Sequence, residues 1–232
     1  MKKLSLALLM SLSFGAFANQ PIINETFLES ELKIAKPEQF NKDMLLKINK
    51  IVELENDKVL ALREKLVALD FNESLKDSEK EFLHSLAKTY GVSAEDDKLL
   101  KNKLLVVVDR VPNSIVLAHF LVASSQPKFD VSNLNYFNKP CIDDECLLDV
   151  QTLEFVNKEY NSVYDSVSEY ILNINTNGLF EELRKKRAVD RANGVALDSY
   201  VYIDYLSVFG GKDFVKALKN NLDEHNLWEF DN

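Results

Sequence analysis

Apolar residues along this chain recur at helical intervals almost throughout. From Lys42 to Leu69, Met44, Ile48, Ile51, Val52, Val59, Leu62, Leu66 and Leu69 fall mostly three or four positions apart. That spacing predicts one long amphipathic helix, with Glu53, Glu55, Arg63, Glu64 and Lys65 on its wet faces. Asn19 to Gln39 is polar, contains Pro21 and Pro37, and predicts a loosely packed lead-in. Ser78-x-x-Glu81 has the form of a capping box, and Gly91 is placed to end the helix it opens. Ser93-x-x-Asp96 predicts a second start of the same kind, with Leu99, Leu100, Leu104 and Val107 turned inward. The β-branched run from Leu104 to Val108 would suit a strand locally, but the long lead from Ser93 decides for helix. Pro112 suits the first turn of the next helix, where its missing N–H costs nothing. Ile115, Val116, Leu117, Ala118, Phe120, Leu121, Val122 and Ala123 leave that helix no polar face, the signature of a buried helix. His119, its one titratable residue, reads as a core or groove-wall histidine. Further helices are predicted over Ser162–Asn173, Glu181–Arg191, Leu197–Val208 and Asp213–Asn221. Asn177-Gly178, Gly194 and Gly210-Gly211 separate them. The fold class is therefore mainly α.

The first residues follow a different pattern. Lys2 and Lys3 precede an apolar run from Leu4 to Phe14, and Ala16-Phe17-Ala18 has the form of a signal-peptidase site. Residues 1–18 are expected to be a secretory signal, with no cysteine after the site to carry a lipid. The apolar run falls short of the roughly 20 residues of a membrane span. After signal cleavage no stable span is expected, and the protein is placed in the periplasm. Export puts the chain's two cysteines, Cys141 and Cys146, where a disulfide persists. The formal charge of −9, which loss of the two lysines makes more negative, argues against a nucleic-acid or anionic-membrane ligand. Six glycines are too few for a β-rich fold with many tight turns. His84, His119 and His225 lie far apart in sequence, without metal-ligand spacing. Neither a metal nor an organic cofactor is called for.

From about Lys42 to its end, the chain resembles the Bax-type bacterial glucosaminidase-domain proteins, which are unrelated to the apoptosis regulator of that name. INKIVELENDKVLALREKL, residues 48–66, is similar to their N-terminal helix. LLVVVDRVPNSIVLAHF, residues 104–120, resembles their apolar run with Asp, Val-Pro and the buried helix. NLNYFNKPC, Asn133 to Cys141, resembles the family's asparagine–leucine–phenylalanine–glycine stretch ending in cysteine, and Cys146 sits where the second family cysteine is expected. Tyr160–Asn177 and the tail Val208–Leu227 also fit. The resemblance implies a lysozyme-like glucosaminidase fold over 93–232, preceded over 19–92 by a lead-in and an N-terminal helical extension. It also implies hydrolysis of N-acetylglucosaminyl bonds in peptidoglycan. The family's catalytic glutamate, however, falls on Ala123. Of the serine, glycine, tryptophan and glycine that follow it, only the serine is kept, as Ser124. Ser125, Gln126 and Pro127 take the other places, and Asn138 replaces the glycine after the Asn-Leu-Phe stretch.

Glycoside cleavage needs a proton on the leaving oxygen, and a carboxylic acid of raised pKa supplies it. An alanine methyl supplies none. The leading expectation is thus a catalytically impaired, glucosaminidase-like periplasmic protein that binds peptidoglycan or an envelope protein through the old groove. Ser124, Tyr136, Phe137, Tyr164 and Tyr170 are its candidate contacts, since aromatic rings either stack on sugars or simply pack. A second expectation is an active hydrolase with a relocated acid. Asp143 and Glu145 are the weak candidates, with Asp130 and Asp144 nearby, against the plainer reading of a solvated acidic loop. A third is a structural adaptor whose groove is closed, by Phe129 or Gln126 for example, and which docks through the long helix.

Overall fold

The structure is a computed structural model that describes residues 37–125, 134, 136–137 and 159–231. Every regular element among the described residues is helical. Helix α1 spans Pro37–Ala68. It therefore begins inside the stretch expected to be a loose lead-in, at a proline that the first turn of a helix accepts without losing a hydrogen bond. Helix α2 spans Asp77–Thr89. The Ser78 cap is not used. The chain enters the helix two residues earlier, at Lys76, whose N–H donates to Glu79 Oε2 at 2.8 Å. Gly91 ends the helix as expected, at φ +63, while the Val92 N–H closes back on the Ala87 carbonyl at 2.9 Å. Helix α3 spans Asp97–Val107, which settles the Leu104–Val108 ambiguity in favour of helix. Its cap is Asp96 rather than Ser93: Asp96 Oδ1 accepts the Leu99 N–H at 2.8 Å. Only Leu100 and Leu104 of its four expected inward residues are fully buried. Leu99 is exposed and Val107 partly so.

Helix α4, Asn113–Ser124, is the hub. Every residue from Asn113 to Ala123 is buried, so the reading of a helix without a polar face holds. Helices α5, Val163–Thr176, and α6, Glu181–Ala192, follow, with the 3-10 turn Gly178–Phe180 between them. Gly194, at φ +64, ends α6. The helix expected over Leu197–Val208 is divided. Helix α7 covers Ser199–Tyr202, a 3-10 turn covers Ile203–Leu206, and helix α8 runs over Ser207–Glu224. The tighter winding of the 3-10 turn brings Ile203 and Leu206 to one side, and both are buried. A last 3-10 turn spans Leu227–Asp231.

Two apolar clusters share α1. Met44, Ile48, Ile51 and Val52 from its first half join α4, α5 and the C-terminal elements. Val59 and Leu66 from its second half, with Leu69 just past its end, join α2 and α3. The hub is tied in at its N-terminal end by polar groups. Asn113 Nδ2 donates to Asn49 Oδ1 at 2.9 Å, Asn56 Nδ2 donates to Asn113 Oδ1 at 2.9 Å, and the Val111 N–H donates to Asn56 Oδ1 at 3.0 Å. From the other side Asp231 accepts the Ser114 N–H at 2.9 Å and the Ser114 hydroxyl at 2.6 Å. A carboxylate at a helix N-terminus meets the positive end of the helix dipole. These bonds fix both the rotation and the height of α4, and so set what its other end presents.

Candidate functional site

The far end of α4 carries the position where the family acid is expected. Ala123 there is 4 % exposed. One turn back, His119 is 6 % exposed, and four rings meet it edge to face. Phe137 lies 5.6 Å away between centroids, while Tyr170, Phe209 and Phe214 each lie at 5.0 Å. Tyr170 and Phe137 stack on one another at 4.1 Å, inclined by 12°. The Tyr170 hydroxyl pairs with His119 Nδ1 at 2.8 Å. Burial among these rings pushes the imidazole pKa down to about 3 and the Tyr170 phenol well above its ordinary range, so both are neutral at pH 7.

The candidate contacts thus divide. Phe137 and Tyr170 come together on His119 and are buried there. Tyr136 packs against Phe120, 5.9 Å away, and its N–H donates to Ser166 Oγ. Ser124 turns its hydroxyl back to the Leu121 carbonyl at 3.0 Å. Tyr164 bonds elsewhere. Its hydroxyl donates to Glu55 on α1, and Lys58 reaches both groups. Burial works against the Lys58 ammonium, but its bonds to Glu55 and Tyr164 outweigh that and raise its pKa. Cys141, Cys146, Asp130, Asp143, Asp144, Glu145, Gln126 and Phe129 lie outside the described residues. The expected disulfide and the relocated acid therefore have no structural account. No cluster of three or more His, Cys, Asp or Glu that would hold a metal occurs among the described residues.

The chain is similar to Protein bax of Escherichia coli (strain K12). The two are 29 % identical over 138 residues, which is 58 % of this chain and 50 % of that protein. The match thus takes in about half the length of that relative. No family model matches the chain. No solved structure matches it either. The similarity agrees with the Bax-type likeness of the motifs at the level of the family.

Beneath α4 lies a charged network that sequence reading passed over, apart from noting Asp109 as part of a motif. Asp109 is 1 % exposed and is ion-paired with Arg191 of α6. Its carbonyl accepts from Asn175 Nδ2 at 2.9 Å, and Asn175 Oδ1 accepts from Arg187 Nη2 at 2.8 Å. Arg187 has no exposed surface; it also donates to the Arg110 carbonyl at 2.8 Å. Burial lowers its pKa to about 10, which still leaves it charged at neutral pH. Sequence offered one signal for this, a basic helix, EELRKKRAVDRA, in which Arg184, Arg187 and Arg191 repeat at three and four residues. That pattern normally marks a solvated face. The other residues that sequence reading missed are Phe209 and Phe214, from the tail, which close around His119.

Proposed function

We propose that this chain is a Bax-type cell-envelope protein that associates with peptidoglycan and does not hydrolyse it. The observation that carries the reading is the end of α4. Where the family's general acid is expected stands the buried methyl of Ala123, and the titratable neighbour one turn away is a neutral histidine. General acid catalysis is worth roughly 10²–10⁴-fold in rate. An imidazole whose pKa lies near 3 holds no acidic proton to give at pH 7. The likeness to Protein bax and the basic–apolar–Ala-Phe-Ala start of the chain support a place in the envelope, exported to the periplasm. Among the described residues no helix is long and apolar enough to cross a membrane, which suits that placement. A lysozyme-like arrangement around α4 is part of the proposal.

The test is to incubate the protein, freed of residues 1–18, with purified peptidoglycan. Sedimentation reads binding, and release of soluble muropeptides reads cleavage. Co-sedimentation without release is the expected result. Steady release would restore the hydrolase reading and direct attention to Asp143 and Glu145. Failure to sediment would leave the adaptor reading, in which the long helix α1 meets a protein partner.

A further inference from the structure

The two apolar clusters divide the chain at two points. The fully buried members of one run from Val59 to Val108 without a contribution from outside that stretch. Those of the other lie between Met44 and Val52 and from Val111 onward. Residues 57–108 are thus one unbroken insertion with a core of its own, made of the C-terminal part of α1 with α2 and α3. The chain enters and leaves it at neighbouring points, because Asn56 grips Val111 twice. Its Nδ2 donates to the Val111 carbonyl at 2.8 Å, and its Oδ1 accepts the Val111 N–H at 3.0 Å. Entry and exit side by side allow a unit set within another fold to behave as one body.

What joins this lobe to the body is mostly polar. At the entry, the Tyr164 hydroxyl of α5 donates to Glu55, and Lys58 reaches both. At the exit, Asp109 is paired with Arg191 of α6, and its carbonyl accepts from Asn175. Arg187, beside them, is fully buried, and its Nε has no hydrogen-bond partner among the described residues. From the body, Leu172 of α5 reaches the lobe's cluster as a partly buried apolar residue. An apolar interface resists opening because its whole area would meet water. A polar one exchanges its bonds for bonds to water at little net cost, and a buried charge regains its hydration. The plane of least resistance therefore runs between the clusters. We propose that residues 57–108 open from the body as a unit, hinged at Asn56 and Val111 and latched by the Asp109–Arg191 and Glu55–Tyr164 contacts. Both apolar clusters stay intact through the movement. Because α1 runs unbroken through the hinge, the opening is a flexing of its last turns and not a wide swing. It uncovers Arg187, Asn175 and the side of α6 on which α3 packs. The device is independent of what the protein binds.

The experiment is relaxation dispersion on the full chain, freed of residues 1–18, with amide hydrogen exchange alongside. Hinge motions fall on the microsecond–millisecond scale. The amides of Asn56, Lys58, Asp109, Arg110 and Val111 are expected to pass between two states at one shared rate. Those of Leu83 and Leu100 in the lobe, and of Val116 and Phe120 in the body, are expected to show no such process. Arg191→Met and Tyr164→Phe each remove one latch and alter no fully buried apolar residue. Each is expected to raise the open population about two- to five-fold, as loss of a screened ion pair or a single hydrogen bond allows. Hydrogen-exchange protection at Leu83 and Leu100 is expected to be the same in both variants as in the wild type, since the lobe opens without melting. A fall in that protection in step with the seam shows that the lobe unfolds, and overturns the hinge. A rigid seam in the wild type, or different rates at Asn56 and Val111, overturns it as well. So does an open population that neither variant raises. Should a variant not fold, the wild-type rates and protection decide alone.

Discussion

Replacing Asp109 by Asn is the sharpest test of how the hub is held. The substitution keeps size and shape and removes one buried negative charge. Three arginines feel that charge: Arg191 through a direct ion pair, and Arg187 and Arg63 through space. Arg191 is 34 % exposed, so water screens its pair, and losing that pair alone should cost no more than about 1 kcal/mol. Arg187 decides the outcome. It is fully buried, its Nε has no hydrogen-bond partner, and its remaining bonds go to neutral oxygens of Arg110 and Asn175. A buried charge stripped of its counter-ion typically costs about 3–5 kcal/mol. Since Asp109 and Arg187 interact through space and not by a direct bond, the lower end, about 3 kcal/mol, is expected. In a chain of this size each kcal/mol moves the melting temperature by about 2–4 °C, so Asp109→Asn should lower it by about 6–12 °C. Urea unfolding followed by circular dichroism measures the loss directly, with Arg191→Met as the control for the screened pair. A loss below about 1 kcal/mol in Asp109→Asn would show that the neutral acceptors suffice for Arg187 and would refute the reasoning.

Three further outcomes are expected. The folded pKa of His119 is depressed from about 6.5 to about 3, so the stability it contributes is whole above pH 6.5 and is lost as pH falls toward 3, by about 1.4 kcal/mol per unit. Urea unfolding at pH 7, 6, 5 and 4 should show a shallower decline in His119→Phe than in the wild type, and parallel curves would contradict the shift. Ala123→Glu should not create a peptidoglycan hydrolase, and overpacking at this buried site should cost about 1–3 kcal/mol. Muropeptide release by that variant would show that the rest of a catalytic site is intact. Thiol counting on the full chain produced in an export-competent bacterium should find neither Cys141 nor Cys146 free, and two free thiols would remove the disulfide expectation.

Much of the local structure was legible from residue order. An uninterrupted apolar stretch such as Ile115–Ala123 has one low-energy fate in water, which is burial on all sides, and α4 meets it. Gly91, Gly194 and Gly210-Gly211 mark real breaks, because positive φ or close approach excludes a side chain at each stretch. Helix starts were less legible. Ser78 and Ser93 have the right chemistry, but Lys76 and Asp96 hold the cap positions, because burial of Leu83, Leu86, Leu100 and Leu104 sets the phase of each helix. The absence of an acid at Ala123 is likewise a property of sequence alone.

Tertiary structure decided which side chains meet. Nothing in the spacing of Tyr164 and Tyr170, on one helix, shows that the first goes to Glu55 and the second to His119. Phe209 and Phe214 lie some ninety residues from His119 in the chain, and Arg187 reads as a solvated residue until Asp109 and Asn175 are found beneath it. The physical reason is range. Helix periodicity, capping and turn preference act over a few residues and are written in local order. Ring packing and buried charge depend on distances closed only when the helices assemble, so the His119 cluster and the Asp109 network exist only in the folded chain.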